Sequence, residues 1–208
     1  PDPATVFVSN SMPVRDLDRF VPPSTTNLTA LGNRGVSGID GIVSSALGAG
    51  SATTDDLTLV VGDLALYHDS NGLLAVDRCA VDVTIVLINN DGGGIFHKLP
   101  VESFDPPFTD SFKTPHGLAF EPLSTLYGLE YVRIDAREAG SDTVSDTAAD
   151  DDGTDDPSAA LAAAYTRAHE TDGSHLIEVR TDAEASQRIR ERLLDAVERA
   201  VHGGDESS

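Results

Sequence analysis

The segments Leu57-Thr-Leu-Val-Val-Gly62-Asp63 and Val83-Thr-Ile-Val-Leu-Ile-Asn89-Asn90-Asp-Gly-Gly-Gly94-Ile-Phe96 decide how this chain is read. Leu57 to Val61 and Val83 to Ile88 are short apolar, β-branched runs bounded by turn signals, which reads as two buried strands. Between them, residues 70–79 carry Leu73, Leu74 and Val76 at helical spacing. Strand, helix and strand in that order make a βαβ unit, with parallel strands and a right-handed crossover. The first run ends on Gly-Asp and the second on Asn-Asn followed by three glycines. Ligands of open α/β sheets sit beyond the carboxyl ends of strands, so two polar terminations with the same placement point to one shared ligand.

Outward from this unit the alternation continues. Thr5 to Ser9 reads as a buried strand, followed by a short helix through Phe20. Residues 21–34 read as loop, with Pro-Pro and Thr-Thr, and Gly41 to Gly48 as a helix of small residues packed close to a neighbour. Leu123 to Leu129 is predicted helical and Glu130 to Ile134 extended. Pro157 opens an Ala-rich helix with Asp156 as its N-cap, and His175 to Arg180 is a further strand. Residues 183–201 form the strongest helical pattern, with Ile189, Leu193, Leu194, Val197 and Val201 on one face, expected to pack on the core. The fold class is therefore α/β, a largely parallel sheet with helices on both faces. Three parts are expected: a core over 1–140, an acidic insertion over 141–157 that is too polar to bury and expected to be disordered, and a helix-strand-helix over 158–208 completing the same domain.

Composition narrows the partners. Among 208 residues, 35 Asp and Glu face 14 Lys and Arg, a formal charge of −21, and the only lysines are Lys98 and Lys113. Such a surface repels phosphate backbones, which argues against nucleic-acid binding. An acid-rich, Lys-poor surface stays soluble where concentrated salt screens self-repulsion, so a halophilic cytoplasm is the favoured explanation over a functional acidic patch. No stretch nears the roughly 20 apolar residues of a membrane span, and the N-terminus lacks signal-peptide regions. The single cysteine, Cys79, fits a reducing compartment and, in an apolar helical stretch, is expected to be buried.

The residues at the two strand ends have a definite chemistry. A carboxylate, a side-chain amide oxygen and a backbone carbonyl are hard donors suited to Mg²⁺, which completes its shell with water and phosphate oxygens. Glycines at 62 and 92–94 let main-chain N–H groups come close to those phosphates. A Mg²⁺-bound diphosphate is the ligand this implies; a Walker-type site is disfavoured because no Gly-x-x-x-x-Gly-Lys occurs.

Gly62-Asp63 followed at this distance by Asn89-Asn90 resembles the cofactor motif of thiamine-diphosphate enzymes. Asn10-Ser-Met-Pro-Val-Arg15, Asn33-Arg-Gly-Val-Ser-Gly-Ile-Asp-Gly41 and Asn90-Asp-Gly-Gly-Gly-Ile-Phe-His-Lys-Leu-Pro100 narrow it. They resemble the 2-succinyl-5-enolpyruvyl-6-hydroxy-3-cyclohexene-1-carboxylate (SEPHCHC) synthases (MenD) of menaquinone biosynthesis, in the family's own order from about residue 5 to 134. The resemblance implies a diphosphate-binding (PP-type) domain that takes thiamine diphosphate with Mg²⁺, Mn²⁺ being an alternative. It also implies decarboxylation of 2-oxoglutarate and addition of the resulting four-carbon unit to isochorismate, in a homodimer or homotetramer. By position, Asp63, Asn90 and the Gly92 carbonyl match the metal ligands, and Gly62, Leu64, Gly93, Gly94 and Ile95 the diphosphate and thiazolium pocket. Ser11, Arg15 and Arg34 match residues that hold substrate carboxylates, while Ile39, Ile95, Phe96 and Leu99 match apolar walls.

The family's activating Glu belongs to a separate pyrimidine-binding domain, and no candidate for it occurs here, so the chain alone is expected to be inactive. Another thiamine-dependent 2-oxo acid decarboxylase or carboligase, or a non-catalytic cofactor-binding module, are the alternatives. Arg15 also has a surface reading, paired with Asp16 or Asp18 on its own helix. His68 reads as a structural residue at a helix start and His116 as a turn residue; His97 and Lys98 lie near the pocket mouth without an assigned role. His169, His175 and His202 lack the spacing of zinc ligands.

Overall fold

The computed structural model describes residues 1–137 and 156–202. Most of the acidic stretch expected over 141–157 lies outside the described residues. Six parallel strands form one sheet: β1 (Ala4–Val8), β2 (Leu28–Leu31), β3 (Asp56–Gly62), β4 (Thr84–Asn89), β5 (Glu130–Asp135) and β6 (His175–Arg180). Their order across the sheet is β2-β1-β3-β4-β6-β5. The chain runs from β1 outward to β2 and returns to place β3 on the other side of β1, so the strand order reverses between β1 and β3. Crevices of this kind open at the carboxyl ends of the strands that flank the reversal.

Alternation along the strands builds two cores. Leu57, Leu59 and Val61 of β3 and Ile85 and Leu87 of β4 point to one face, where α2 (Ile42–Gly50), α3 (Asp63–His68), α4 (Leu74–Cys79) and α5 (Glu121–Tyr127) lie. Val86 of β4 and Ile177 and Val179 of β6 point to the other, against α6 (Pro157–Glu170). Helices on both faces explain why central strands read as continuous apolar runs rather than alternating ones. At the start of α6 the Asp156 carboxylate accepts the Ser158 N–H at 2.9 Å, the N-cap expected of Asp before Pro157. Two more helices, α1 (Met12–Phe20) and α7 (Ala183–His202), flank the carboxyl ends of the strands and are joined by a two-point ion pair. Arg190 Nε and Nη2 stand 3.0 and 2.6 Å from the two oxygens of Asp16.

Four sequence expectations are corrected. Residues 21–34 are not all loop: Leu28–Leu31 forms β2, an exposed edge strand whose backbone pairs with β1 from Ala4↔Leu28 to Phe7↔Leu31. The apolar face of α7 is not core. Ile189, Leu193, Leu194, Val197 and Val201 are 42–66% exposed among the described residues, because only the first turns of the helix, with Ala183 and Gln187, reach the body of the protein. Cys79 is exposed, since α4 runs along the surface and ends there. His68 closes α3 rather than starting a helix, and is exposed.

Candidate functional site

Asp63 is the first residue of α3, directly beyond β3, and only 3% exposed. A buried carboxylate must be met by donors, and this one is. Its Oδ1 accepts the Leu64 N–H at 2.7 Å, and its Oδ2 accepts the N–H groups of Asn90 at 3.1 Å and Gly92 at 3.0 Å. Because β3 and β4 are in register from Thr58↔Thr84 to Gly62↔Ile88, the strand-end carboxylate and the strand-end amide are neighbours by construction.

The two asparagines face opposite tasks. Asn89 is buried and anchors the turn: its Nδ2 donates to Glu178 Oε1 at 2.7 Å, and its Oδ1 accepts the Asp91 N–H at 3.1 Å. Glu178, buried in β6, also accepts from the Tyr131 hydroxyl at 2.5 Å. Burial and this bond to a carboxylate push the Tyr131 phenol well above its usual range. Asn90 instead leaves its Oδ1 buried with no hydrogen-bond partner among the described residues. A buried acceptor without a donor is costly unless a ligand completes it.

The glycine turn that follows is shaped by close approach. Gly92 has φ +130°, and an added Cβ would collide with the Lys113 carbonyl. A Cβ at Gly93 would meet the Phe112 carbonyl oxygen at 2.6 Å, and one at Gly94 would strike the Asn90 side-chain amide. The N–H of Gly93 donates to Lys113 O at 2.7 Å and that of Gly94 to Gly92 O at 2.9 Å, so these two groups already have partners. Asp91, at φ +58°, accepts the N–H groups of His116 at 3.0 Å and Gly117 at 2.7 Å. Burial raises its carboxyl, but those two N–H groups, with His116 and Lys113 nearby, outweigh that and hold it below the ordinary value.

At the end of β1 a second group assembles around Asn10, which is 3% exposed. Its Nδ2 donates to Gly38 O at 2.6 Å, and its Oδ1 accepts from Arg34 Nη1 at 2.5 Å. Ser11, at φ +70°, turns the chain into α1, and its carbonyl accepts from Arg15 Nη1 at 2.5 Å; Asp16, one surface partner considered for Arg15, takes Arg190 instead. Ile39 packs against the core, Phe96 meets Phe112 edge-on with centroids 5.7 Å apart, and Leu99 is 46% exposed. A cavity of about 310 Å³ reaches from Met12, Pro13 and Leu17 of α1 to Asn90, Gly94 and Arg190. Ser11, Arg15, Arg34, Ile39, Phe96 and Leu99 do not line it.

Three features escaped the sequence reading. His116 is not merely a turn residue, because its largely buried ring lies beside Asp63 and Asp91. Asp91 is the staple between the glycine turn and the His116 loop. Lys98 has both signs of charge near it: its ammonium is held below its ordinary pKa by burial, then by Arg19, Arg15 and Arg190, against the opposing pull of Asp16. His97 turns away from an open mouth, 5% exposed with Nδ1 2.6 Å from Glu102. No group of three His, Cys, Asp or Glu side chains able to hold a metal occurs among the described residues, so the donors on offer are those of Asp63, an amide and a carbonyl.

No family model matches the chain. It is 72% identical over 205 residues to a SEPHCHC synthase of Halorubrum lacusprofundi, covering 99% of this chain and 32% of that protein. It is 59% identical over 197 residues to the synthase of that name from Halobacterium salinarum, and 46% identical over 195 residues to one from a Roseiflexus species, covering 30% of each. The chain thus spans about a third of the length of the curated relatives it matches. Among solved structures, one of a candidate thiamin diphosphate-dependent enzyme from Mycobacterium smegmatis superposes with a TM-score of 0.56 at 17% identity, covering 88% of this chain and 29% of that one. That likeness shows a shared fold. Over the third of those proteins that it spans, the chain is similar throughout to the 2-succinyl-5-enolpyruvyl-6-hydroxy-3-cyclohexene-1-carboxylate synthases.

Proposed function

We propose that this chain is the diphosphate-binding, C-terminal part of a cytoplasmic SEPHCHC synthase of menaquinone biosynthesis, a transferase that joins the decarboxylated four-carbon unit of 2-oxoglutarate to isochorismate and releases CO₂. One observation carries the reading: the Asn90 Oδ1 is buried and unpartnered beside the Asp63 carboxylate, at the ends of adjacent parallel strands and against a glycine cradle. That donor set fits Mg²⁺ or Mn²⁺, with Asp63, Asn90 Oδ1 and the Gly92 carbonyl as its protein ligands. When bound, thiamine diphosphate supplies the nucleophilic carbon and the electron sink, chemistry that side chains do not provide.

The residues of this chain bind and orient. Gly62, Leu64, Gly93, Gly94 and Ile95 line the diphosphate, their small or main-chain surfaces allowing its oxygens close. Ser11, Arg15 and Arg34 receive the substrate carboxylates, for which Arg offers a two-pronged donor set. Lys98 with Arg15 and Arg19, Arg190 being paired to Asp16, makes a local excess of positive charge in a chain of charge −21, which supports an anionic substrate there. Ile39, Phe96 and Leu99 then exclude water from the departing carboxylate once a partner domain covers them. A pyrimidine-binding domain of the same enzyme brings the activating Glu, and the enzyme assembles as a homodimer or homotetramer.

Calorimetric titration of Mg²⁺ and thiamine diphosphate in molar KCl tests this. Binding by the parent and none by Asp63→Ala is expected. Equal binding by both would sink the metal assignment. A full-length enzyme that binds the cofactor but releases no CO₂ from 2-oxoglutarate would sink the reaction.

A further inference from the structure

Asp63 is held by more than the two strand ends. The Thr114–Leu118 loop brings His116 against it, with the ring nearly buried at 12% exposure. The Leu118 N–H donates to His116 Nδ1 at 3.0 Å. Nδ1 is therefore the acceptor, and the one proton of the neutral ring sits on Nε2. Asp91 Oδ1 is 3.4 Å from Nδ1 but is already engaged by the N–H groups of His116 and Gly117. Nε2 lies 3.2 Å from Asp63 Oδ2, and no polar atom among the described residues, that oxygen included, meets hydrogen-bond geometry with it. The approach is off-line, so the two interact as an N–H dipole and a carboxylate.

The ring is not free to leave. Phe120 meets it edge-on with centroids 6.0 Å apart, Asp91 ties its backbone to the glycine turn, and Lys113 O holds Gly93 N–H at 2.7 Å. We infer that His116 is a positioning residue for Asp63. Its Nε2–H dipole braces Oδ2 electrostatically, on the oxygen that already accepts the N–H groups of Asn90 and Gly92, and so favours that oxygen as the one tied to the protein. Oδ1, which accepts the Leu64 N–H, keeps a lone pair for a cation. This role rests on the cation-site reading of Asp63 and Asn90, and adds a group set on neither strand end.

The test compares His116→Phe, which keeps the ring packing, with His116→Gln, whose amide nitrogen reaches the place of Nε2. Free Mn²⁺ is followed by electron paramagnetic resonance while the ion is titrated into the full-length protein in saturating thiamine diphosphate and molar KCl. The Phe variant is expected to bind Mn²⁺ about ten-fold more weakly, the size of effect seen when a group orienting a metal ligand is lost, and the Gln variant within about three-fold of the parent. Nitrogen-15 spectra of the metal-free parent are expected to show His116 as the Nε2–H tautomer.

Equal weakening in both variants assigns His116 to packing and overturns the inference, as does an Nδ1–H tautomer. If the parent binds, Asp63→Ala does not, and the Phe variant matches the parent, the inference fails while the cation site stands. If the parent itself fails to bind, both fall together.

Discussion

Replacing Gly92 with alanine probes the clamp between the glycine turn and the Lys113–Thr114 backbone. Gly92 sits at φ +130°, a region closed to residues with a Cβ, and holding alanine there costs about 1–3 kcal/mol. The new methyl would also lie 3.2 Å from both the Lys113 carbonyl carbon and the Thr114 oxygen, and closer still to the Lys113 oxygen. These are backbone atoms and cannot rotate aside, so crowding adds about 1–3 kcal/mol more. A loss of about 2–6 kcal/mol is expected, a large part of the roughly 5–15 kcal/mol that stabilises a domain. Chemical denaturation in molar KCl measures it, with Gly35→Ala as the control, because a Cβ there meets nothing within 4 Å. The control is expected to stay within about 0.5 kcal/mol of the parent. A loss below about 1 kcal/mol for Gly92→Ala would refute the clamp, since it would mean the turn can part from Lys113 at little cost.

Glu178→Gln replaces an acceptor of two donors with a side chain that must turn one N–H toward Asn89 or Tyr131, and is expected to cost about 1–3 kcal/mol in the same denaturation assay. Tyr131 should remain un-ionised in the folded protein after exposed phenols have titrated, which difference absorbance reads directly. Its folded pKa is raised, so its stabilising contribution is complete below the unfolded value of about 10 and is lost as pH rises through the folded one; denaturation midpoints should fall on that alkaline side. Cys79 is exposed, so a thiol reagent should modify it fully without denaturant; protection until unfolding would contradict the placement of α4.

The strands were legible where burial dictated their composition. Leu57 to Val61 and Val83 to Ile88 are covered on both faces, and nothing but apolar, β-branched residues suits such positions. Leu28–Leu31 was not legible for the opposite reason: an exposed edge strand of four residues is stabilised by backbone pairing with β1, which leaves no periodic trace. The face of α7 shows the limit of a helical pattern, which says that a helix is one-sided but not what lies against that side. At the site, the Asp63–Asn90 juxtaposition followed from two polar strand ends in one βαβ unit. His116 did not, since a contact between a strand end and a distant loop has no sequence period. Its available signals were Pro115 and Gly117, which mark a turn able to present the ring between them.

The position of β6 has a consequence for how the protein comes into being. It is among the last strands in the chain, yet it lies inside the sheet, between β4 and β5. Until His175–Arg180 has been made, β4 has one bare flank, β5 has no described neighbour in the sheet, and Asn89 lacks Glu178. Parallel pairings this distant in sequence are slow to form, because the intervening chain must be closed into a loop before any contact rewards it. The turn bearing Asn90 should therefore mature late, after the apolar framework around β1 and β3. A nascent chain stalled before residue 175 would display an open strand edge, an invitation to self-association rather than a half-built site.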